Sequence, residues 1–176
     1  MRSMTGVGLA LAAALIATPA AAQTSFSIAA GATVPVGSTA DAVDVGYNAI
    51  LGLGIKPPLA PLGLRIEGMY NSHAVKDGGG SNMQTLAAIV NGTLSGVGMP
   101  IPMGYLIAGL GMYSSKLTDV PIIGNTDSET DIGFNIGAGI NIPLTGFSTF
   151  LEARFHFIQT EGNSTKLIPI SFGIKF

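Results

Sequence analysis

Residues 132–142 read Ile-Gly-Phe-Asn-Ile-Gly-Ala-Gly-Ile-Asn-Ile, and this segment gives the clearest indication of the fold. Its even-numbered positions are all apolar, and its odd-numbered positions are all glycine or asparagine. Because successive side chains of a β-strand point to opposite faces, this period of two predicts a strand with one apolar face. An amphipathic helix would instead repeat its apolar positions every three or four residues.

Seven further segments of the chain alternate in a similar way. The eight predicted strands are residues 24–34, 43–55, 62–71, 83–94, 104–114, 132–142, 151–157 and 167–176. Segment 104–114 is apolar on both faces, so its register stays open. Strands of about ten residues cross a bilayer when they are tilted. The sequence therefore predicts an all-β protein, an eight-stranded antiparallel up-and-down transmembrane barrel.

The placement of charge favours a membrane barrel over a soluble one. Charged residues make up 10% of the chain, against roughly 25% in soluble domains. Away from segment ends, the segments carry four charges, Arg65, Glu67, Glu152 and Arg154. A charge facing lipid costs about 2–4 kcal/mol at the bilayer midplane. A soluble periplasmic lipid carrier of lipocalin type is the alternative. It would need apolar side chains on the inside, whereas we expect the inward faces of this chain to be mostly glycine and polar.

The connections between segments differ in character on the two sides. Residues 56–61, 95–103 and 143–146 are rich in proline and glycine, whereas the other connections hold most of the charges. This pattern predicts short periplasmic turns, polar outer loops and periplasmic termini. The aromatic residues predict two interfacial girdles. Their members are Tyr47, Tyr70, Tyr113, Phe134 and Phe157 on the loop side, and Phe26, Tyr105, Phe147, Phe172 and Phe176 on the turn side.

Residues 1–22 have the features of a cleaved signal peptide. Arg2 supplies the positive charge, residues 7–17 form a short apolar core, and Ala20-Ala21-Ala22 forms a cleavage site. We therefore expect an exported barrel domain over residues 23–176. The absence of cysteine excludes disulfides, thiol catalysis and a lipoprotein anchor. The formal net charge of −2 argues against nucleic-acid binding through a basic surface.

The chain resembles the outer-membrane β-barrel family of small, opacity-like, eight-stranded bacterial proteins. The resemblance rests on the signal, on Val34-Pro35-Val36-Gly37 after a glycine-rich first strand, on residues 133–143 and 151–156, and on the last strand ending in Phe176. It spans essentially the whole chain after the signal. It implies residence in the outer membrane, contact with lipid and lipopolysaccharide, and recognition of Phe176 by the barrel assembly machinery.

The four internal charges are predicted to meet inside the barrel. The third and seventh strands face each other in an eight-stranded barrel, whose interior is just wide enough for side chains. Counting from the periplasmic side, Arg65 and Glu152 lie at similar depth, as do Glu67 and Arg154. Because an unpaired buried charge is strongly destabilising, we expect the ion pairs Arg65–Glu152 and Glu67–Arg154 to plug the lumen. His156 alternates into the same lumen.

Catalysis and metal binding are weaker interpretations of the same residues. Lipid A deacylases use a histidine with a serine two positions later, but His156 is followed there by Ile158. Asp127, Glu129 and Asp131 could bind a divalent cation, although a solvated loop is favoured because the calcium-loop spacing is absent. His73 is expected to be a solvated loop residue.

The sequence therefore predicts a non-enzymatic, monomeric outer-membrane barrel without a cofactor, metal or catalytic residue. Its role would be envelope integrity or surface interaction, with an extracellular partner that the sequence does not identify. The alternatives are a small ion or solute pore gated by the lumen ion pairs, and the soluble lipid carrier.

Overall fold

The described residues of this computed structural model form eight antiparallel strands that close into a barrel. The structure describes residues 23–58, 60–96, 103–119, 127–160 and 163–176. Each strand pairs with its neighbours in the chain, and β8 pairs with β1 to close the sheet. The strands are β1 (Gln23–Pro35), β2 (Gly46–Lys56), β3 (Leu62–Ala74), β4 (Asn82–Ser95), β5 (Gly104–Thr118), β6 (Glu129–Pro143), β7 (Ser148–Thr160) and β8 (Asn163–Lys175).

The predicted eight-stranded up-and-down barrel is therefore confirmed. Side chains alternate between the outside and the inside of the barrel as the sequence predicts, and apolar side chains cover the outside. On β6, for example, Ile132 and Ile136 are 71% and 58% exposed, whereas Asn135 between them is 2% exposed. This is the arrangement of a barrel surrounded by lipid. It is the reverse of a carrier that lines an internal cavity with its apolar face.

The structure settles the register of β5. Leu106, Leu110 and Met112 point outward, while Tyr105 and Tyr113 point inward and are buried. The prediction that these two tyrosines belong to the aromatic girdles is therefore wrong. Alternation could not decide the matter, because both faces of β5 are apolar.

Other girdle residues contact one another in pairs on the outside of the barrel. Phe134 and Phe157 stack with ring centroids 5.2 Å apart. Tyr47 and Tyr70 form a tilted pair with ring centroids 6.1 Å apart. At the turn side, Phe147 and Phe176 lie 6.3 Å apart. Aromatic pairs at such distances add to the stability of a sheet surface.

Seven of the eight strands extend further at their loop-side ends than the alternation predicts, whereas β2 begins at Gly46 rather than at residue 43. β3 continues to Ala74, and this places His73 inside the barrel wall at 1% exposure, with Nδ1 3.0 Å from the carbonyl oxygen of Asp44. The prediction of a solvated loop position for His73 is therefore wrong. The connection between β1 and β2 holds a short helix, α1 (Ser38–Ala42), which the sequence did not predict.

The turn between β6 and β7 is an example of the short connections on the turn side of the barrel. Gly146 adopts φ +87°, a conformation that favours glycine, and the amide of Leu144 donates to the carbonyl of Phe147 at 2.8 Å. None of the helices in the described part of the chain is long and apolar enough to span a membrane. The predicted signal, residues 1–22, lies outside the described residues.

Candidate functional site: four charged side chains inside the barrel

The candidate site is built by two strands that face each other across the lumen. Arg65 and Glu67 lie on β3, and Glu152 and Arg154 lie on β7. Within each strand the two residues are two positions apart, so both side chains project to the same, inward face. Glu67, Glu152 and Arg154 have side-chain exposures of 1–2%, and Arg65 has 11%. All four charges are therefore largely removed from solvent.

Two contacts cross the lumen. Arg65 Nη2 lies 2.6 Å from Glu152 Oε2, and Arg154 Nη1 lies 2.5 Å from Glu67 Oε2. The structure thus brings together the residues that the sequence placed at equal depths. At such distances each contact is a charge-assisted hydrogen bond, which is stronger than one between neutral groups.

Two further contacts run along the strands. Arg65 Nε lies 2.7 Å from Glu67 Oε1, and Arg154 Nε lies 2.8 Å from Glu152 Oε1. Each carboxylate therefore meets both guanidinium groups, and the four side chains form a closed cycle with no net charge. We call Arg65, Glu67, Glu152 and Arg154 the ion-pair ring. The period of two places both residues of each strand on one face and so carries a signal for these contacts, whereas the predicted ion pairs were the two cross-lumen pairs alone.

Neutral side chains donate to the same carboxylate oxygens that accept the cross-lumen contacts. Tyr105 Oη donates to Glu152 Oε2 at 2.6 Å, and Asn91 Nδ2 donates to Glu67 Oε2 at 2.7 Å. Asn135 Nδ2 in turn donates to Asn91 Oδ1 at 2.9 Å. The guanidinium of Arg65 also lies about 6 Å from the rings of Tyr105 and Phe150. These partners satisfy the buried carboxylates and fix their positions.

The sequence did not indicate Asn91 or Asn135 as partners of the ring, and Tyr105 was predicted to lie in the turn-side girdle. Asn91 and Asn135 stand on the inward faces of their strands, so alternation carried a signal for them. No such signal existed for Tyr105, because the register of β5 was open.

The glycines of β6 make room for the large side chains of the site. Gly137 pairs with Arg154 across the sheet, and a Cβ atom there would lie 2.6 Å from Arg154 Cγ. A Cβ atom at Gly139 would lie 2.6 Å from Tyr105 Oη. Contacts this short are not tolerated, so glycine at these positions lets the ring and its tyrosine fill the lumen.

His156 lies beside the ion-pair ring rather than in it. Its side chain points into the lumen at 0% exposure, and Nδ1 is 2.9 Å from Tyr113 Oη. Among the described residues His156 forms no ion pair. The prediction that His156 belongs to the set of ion pairs is therefore wrong. His156 contacts Tyr113 instead, and it lies nearer the loop end of the barrel than Arg154 does.

The inside of the barrel is more apolar than the sequence predicts. Inward residues such as Met69, Ile89, Ile158 and Leu167 are at most 1% exposed and belong to one buried cluster. The expectation that the inward faces are mostly glycine and polar is therefore wrong on the loop side of the ring. An eight-stranded barrel has a lumen narrow enough for such side chains to fill it.

The other residues considered from the sequence lie at the two ends of the barrel. Asp127 and Glu129 are exposed at the loop end, and Asp131 is partly buried. Within the described ranges, no group of three or more histidine or acidic side chains is placed to hold a metal ion. Phe176 is 62% exposed on the outside, and its amide donates to the carbonyl of Phe26 at 2.8 Å.

Comparisons with known proteins agree with this geometry. The family model described as "Outer membrane protein beta-barrel domain" matches residues 7–176. Neisserial surface protein A is 15% identical, with a TM-score of 0.64 over 88% of this chain and 97% of that chain. Ail, the attachment invasion locus protein of Yersinia pestis, is 11% identical, with a TM-score of 0.54 over the same shares. At these identities the two structures show a shared fold alone. No curated protein matches the chain.

Proposed function

The chain belongs to the outer membrane protein beta-barrel domain family, and from this we propose that it is a structural outer-membrane protein whose lumen is closed by the ion-pair ring. We further propose that residues 1–22 are an export signal and that residues 23–176 are the mature barrel. In this proposal the protein is a monomer without catalytic activity. It contributes to envelope integrity and contacts membrane lipid and lipopolysaccharide.

The observation that carries this proposal is the closure of the ring by four ion-pair contacts. A buried ion pair is costly to break, because removing one partner leaves an uncompensated charge in a low-dielectric interior. In this ring every charge has two oppositely charged neighbours, so no single contact can open without loss. Ring closure and the apolar cluster around Met69 together support a filled lumen.

The absence of catalysis in this proposal is supported by the position of His156. Its ring is turned into the lumen, away from the lipid that a deacylase would need to reach, and it contacts Tyr113. A nucleophile needs a base within hydrogen-bond reach. The partner of His156 is a phenol that already forms part of the packed interior.

A surface-interaction role remains the secondary function. Ail has a structure in complex with the heparin analogue sucrose octasulfate, and this chain shares its fold at 13% identity. In the described part of the chain the loop-side connections are short, since β3 and β4 are joined by residues 75–81. A short loop offers little area for a partner, which favours the structural role.

Assembly would follow the route of the family. Phe176 is exposed beside Phe147 at the turn side, where a last strand with an aromatic end can be recognised. We propose that the barrel assembly machinery uses this residue.

Liposome swelling tests the closed lumen. Vesicles containing the folded wild-type protein should swell in small sugars at the rate of protein-free vesicles. Swelling that increases with the amount of protein would contradict a closed lumen and favour the gated-pore alternative.

A further inference from the structure

A chamber lies on the turn side of the ion-pair ring. It is a cavity of about 110 Å³, and its polar lining includes Ser25, Lys56, Arg65, Ser95, Asn141 and Lys175. We call it the turn-side vestibule. Its floor is Arg65, the ring residue nearest the turns, and its walls come from the ends of strands around the whole barrel. Its position places it at the periplasmic mouth of the lumen.

Two lysines of the vestibule carry charges that no carboxylate in the described part of the chain compensates. Lys56 Nζ donates to Ser95 Oγ at 2.6 Å, and Lys175 Nζ donates to Asn141 Oδ1 at 3.3 Å. Both acceptors are neutral. Neither lysine forms an ion pair with a described carboxylate, and the ring itself has no net charge. The vestibule therefore carries two net positive charges.

The ammonium groups of the vestibule also have donors beyond those used in their described hydrogen bonds. An ammonium group has three N–H donors, and the structure uses one on Lys56 and one on Lys175. The hydroxyl of Ser25 lines the same space. A chamber with free donors and unpaired positive charge is complementary to an anion with several acceptor oxygens.

The volume is sufficient for a small anion. A water molecule takes up about 30 Å³ in the liquid, so the cavity of about 110 Å³ has room for roughly three or four waters. A small oxyanion can replace them.

We infer that the turn-side vestibule is a binding site for a small oxyanion of the phosphate or sulfate type. The site goes beyond the structural role proposed above, since it does not depend on whether the ring ever opens. The anion could be free in the periplasm, or it could be the phosphate of an inner-leaflet lipid that reaches the rim of the vestibule.

Calorimetric titration with inorganic phosphate tests the inference. The folded protein in zwitterionic detergent should bind phosphate saturably at a ratio of one to one. Lys56→Gln or Lys175→Gln should each weaken binding about tenfold or more, the effect of losing a hydrogen bond to a charged group. Lys76→Gln is the matched control, because Lys76 lies on the loop side beside Asp44, and it should leave binding unchanged.

Substitution by arginine separates charge from folding. The double variant Lys56→Arg, Lys175→Arg keeps both charges and should retain binding, while the double glutamine variant should lose it. Absence of saturation at millimolar phosphate in the wild type would overturn the inference. Equal binding by the wild type and the single glutamine variants would do the same.

Membrane composition distinguishes the two sources of the anion. In nanodiscs of zwitterionic lipid, phosphate should bind as it does in detergent. If phosphatidylglycerol nanodiscs abolish phosphate binding in the wild type, the natural occupant is a lipid phosphate. If they leave it unchanged, the natural occupant is a free anion.

Discussion

The guanidinium of Arg65 and the carboxylate of Glu152 meet at 2.6 Å, although 87 positions of the chain separate them. The contact exists because β3 and β7 lie on opposite sides of the closed sheet and both side chains alternate inward. It ties the two halves of the barrel together across the lumen. The most informative variants are therefore those that disturb this crossing without touching the outside of the barrel.

Removal of one guanidinium should destabilise the barrel strongly. Arg154→Ala leaves Glu67 and Glu152 short of one positive neighbour each. Breaking a buried pair in this way costs about 3–5 kcal/mol. Urea unfolding, followed by the mobility difference between folded and unfolded protein on gels, measures this loss.

Lys76→Ala is the control for Arg154→Ala. Lys76 lies 3.9 Å from Asp44, and both side chains are substantially exposed. An exposed pair contributes less than about 1 kcal/mol. If Arg154→Ala shifted the unfolding midpoint no more than Lys76→Ala, the ring would not be an energetic unit.

Loss of the Tyr105 hydroxyl should lower the free energy of unfolding more than loss of the Tyr113 hydroxyl. Tyr105→Phe removes a hydrogen bond of 2.6 Å to the carboxylate of Glu152, and bonds to charged groups are worth about 1.5–3 kcal/mol. Tyr113→Phe removes a bond of 2.9 Å to the imidazole of His156, and a typical bond contributes about 0.5–1.5 kcal/mol. Urea unfolding of both variants gives the comparison, and the reverse order would argue against Tyr105 as a partner of the ring.

A methyl group at Gly139 should disturb the site, whereas one at Gly68 should not. A Cβ atom at Gly139 would lie 2.6 Å from Tyr105 Oη, and overpacking of this kind costs about 1–3 kcal/mol. A Cβ atom at Gly68, on the lipid face of β3, would meet no atom within 4 Å. Thermal unfolding of Gly139→Ala and Gly68→Ala measures the difference, and equal stability would mean that Tyr105 has room to move.

Single cysteines can report the orientation of the barrel, because the chain contains none of its own. Asp41→Cys, in α1 at the loop end, should react with a membrane-impermeant maleimide in whole cells. Leu144 lies in the turn after β6, and its side chain is 49% exposed. Leu144→Cys should therefore react after the outer membrane is permeabilised. Labelling in the opposite pattern would reverse the orientation predicted from the charges of the connections.

The architecture was predictable because a strand in a lipid-facing barrel must alternate. The eight strands and the outward apolar faces followed from the period of two in segments such as residues 132–142. Equal depth of Arg65 and Glu152 followed from counting inward positions on two strands that face each other. These features depend on periodicity alone, which a single sequence contains.

Other features were not predictable, because they depend on packing between strands. Tyr105 and Tyr113 stand on a strand that is apolar on both faces, so no alternation indicates which face is inside. His73 lies on β3, and the hydrophobic pattern of this strand ends before its hydrogen-bonded ladder does. The short helix α1 has a glycine before its first residue and no side-chain cap, so the sequence lacks a start signal for it.

Closure of the lumen by the ion-pair ring is tested most directly by single-channel conductance in planar bilayers. The wild-type protein and Lys76→Ala should show no steady channel, whereas Arg154→Ala should conduct, because one arm of the ring is gone and water can enter. A wild-type protein that conducts as well as Arg154→Ala would contradict closure by the ring.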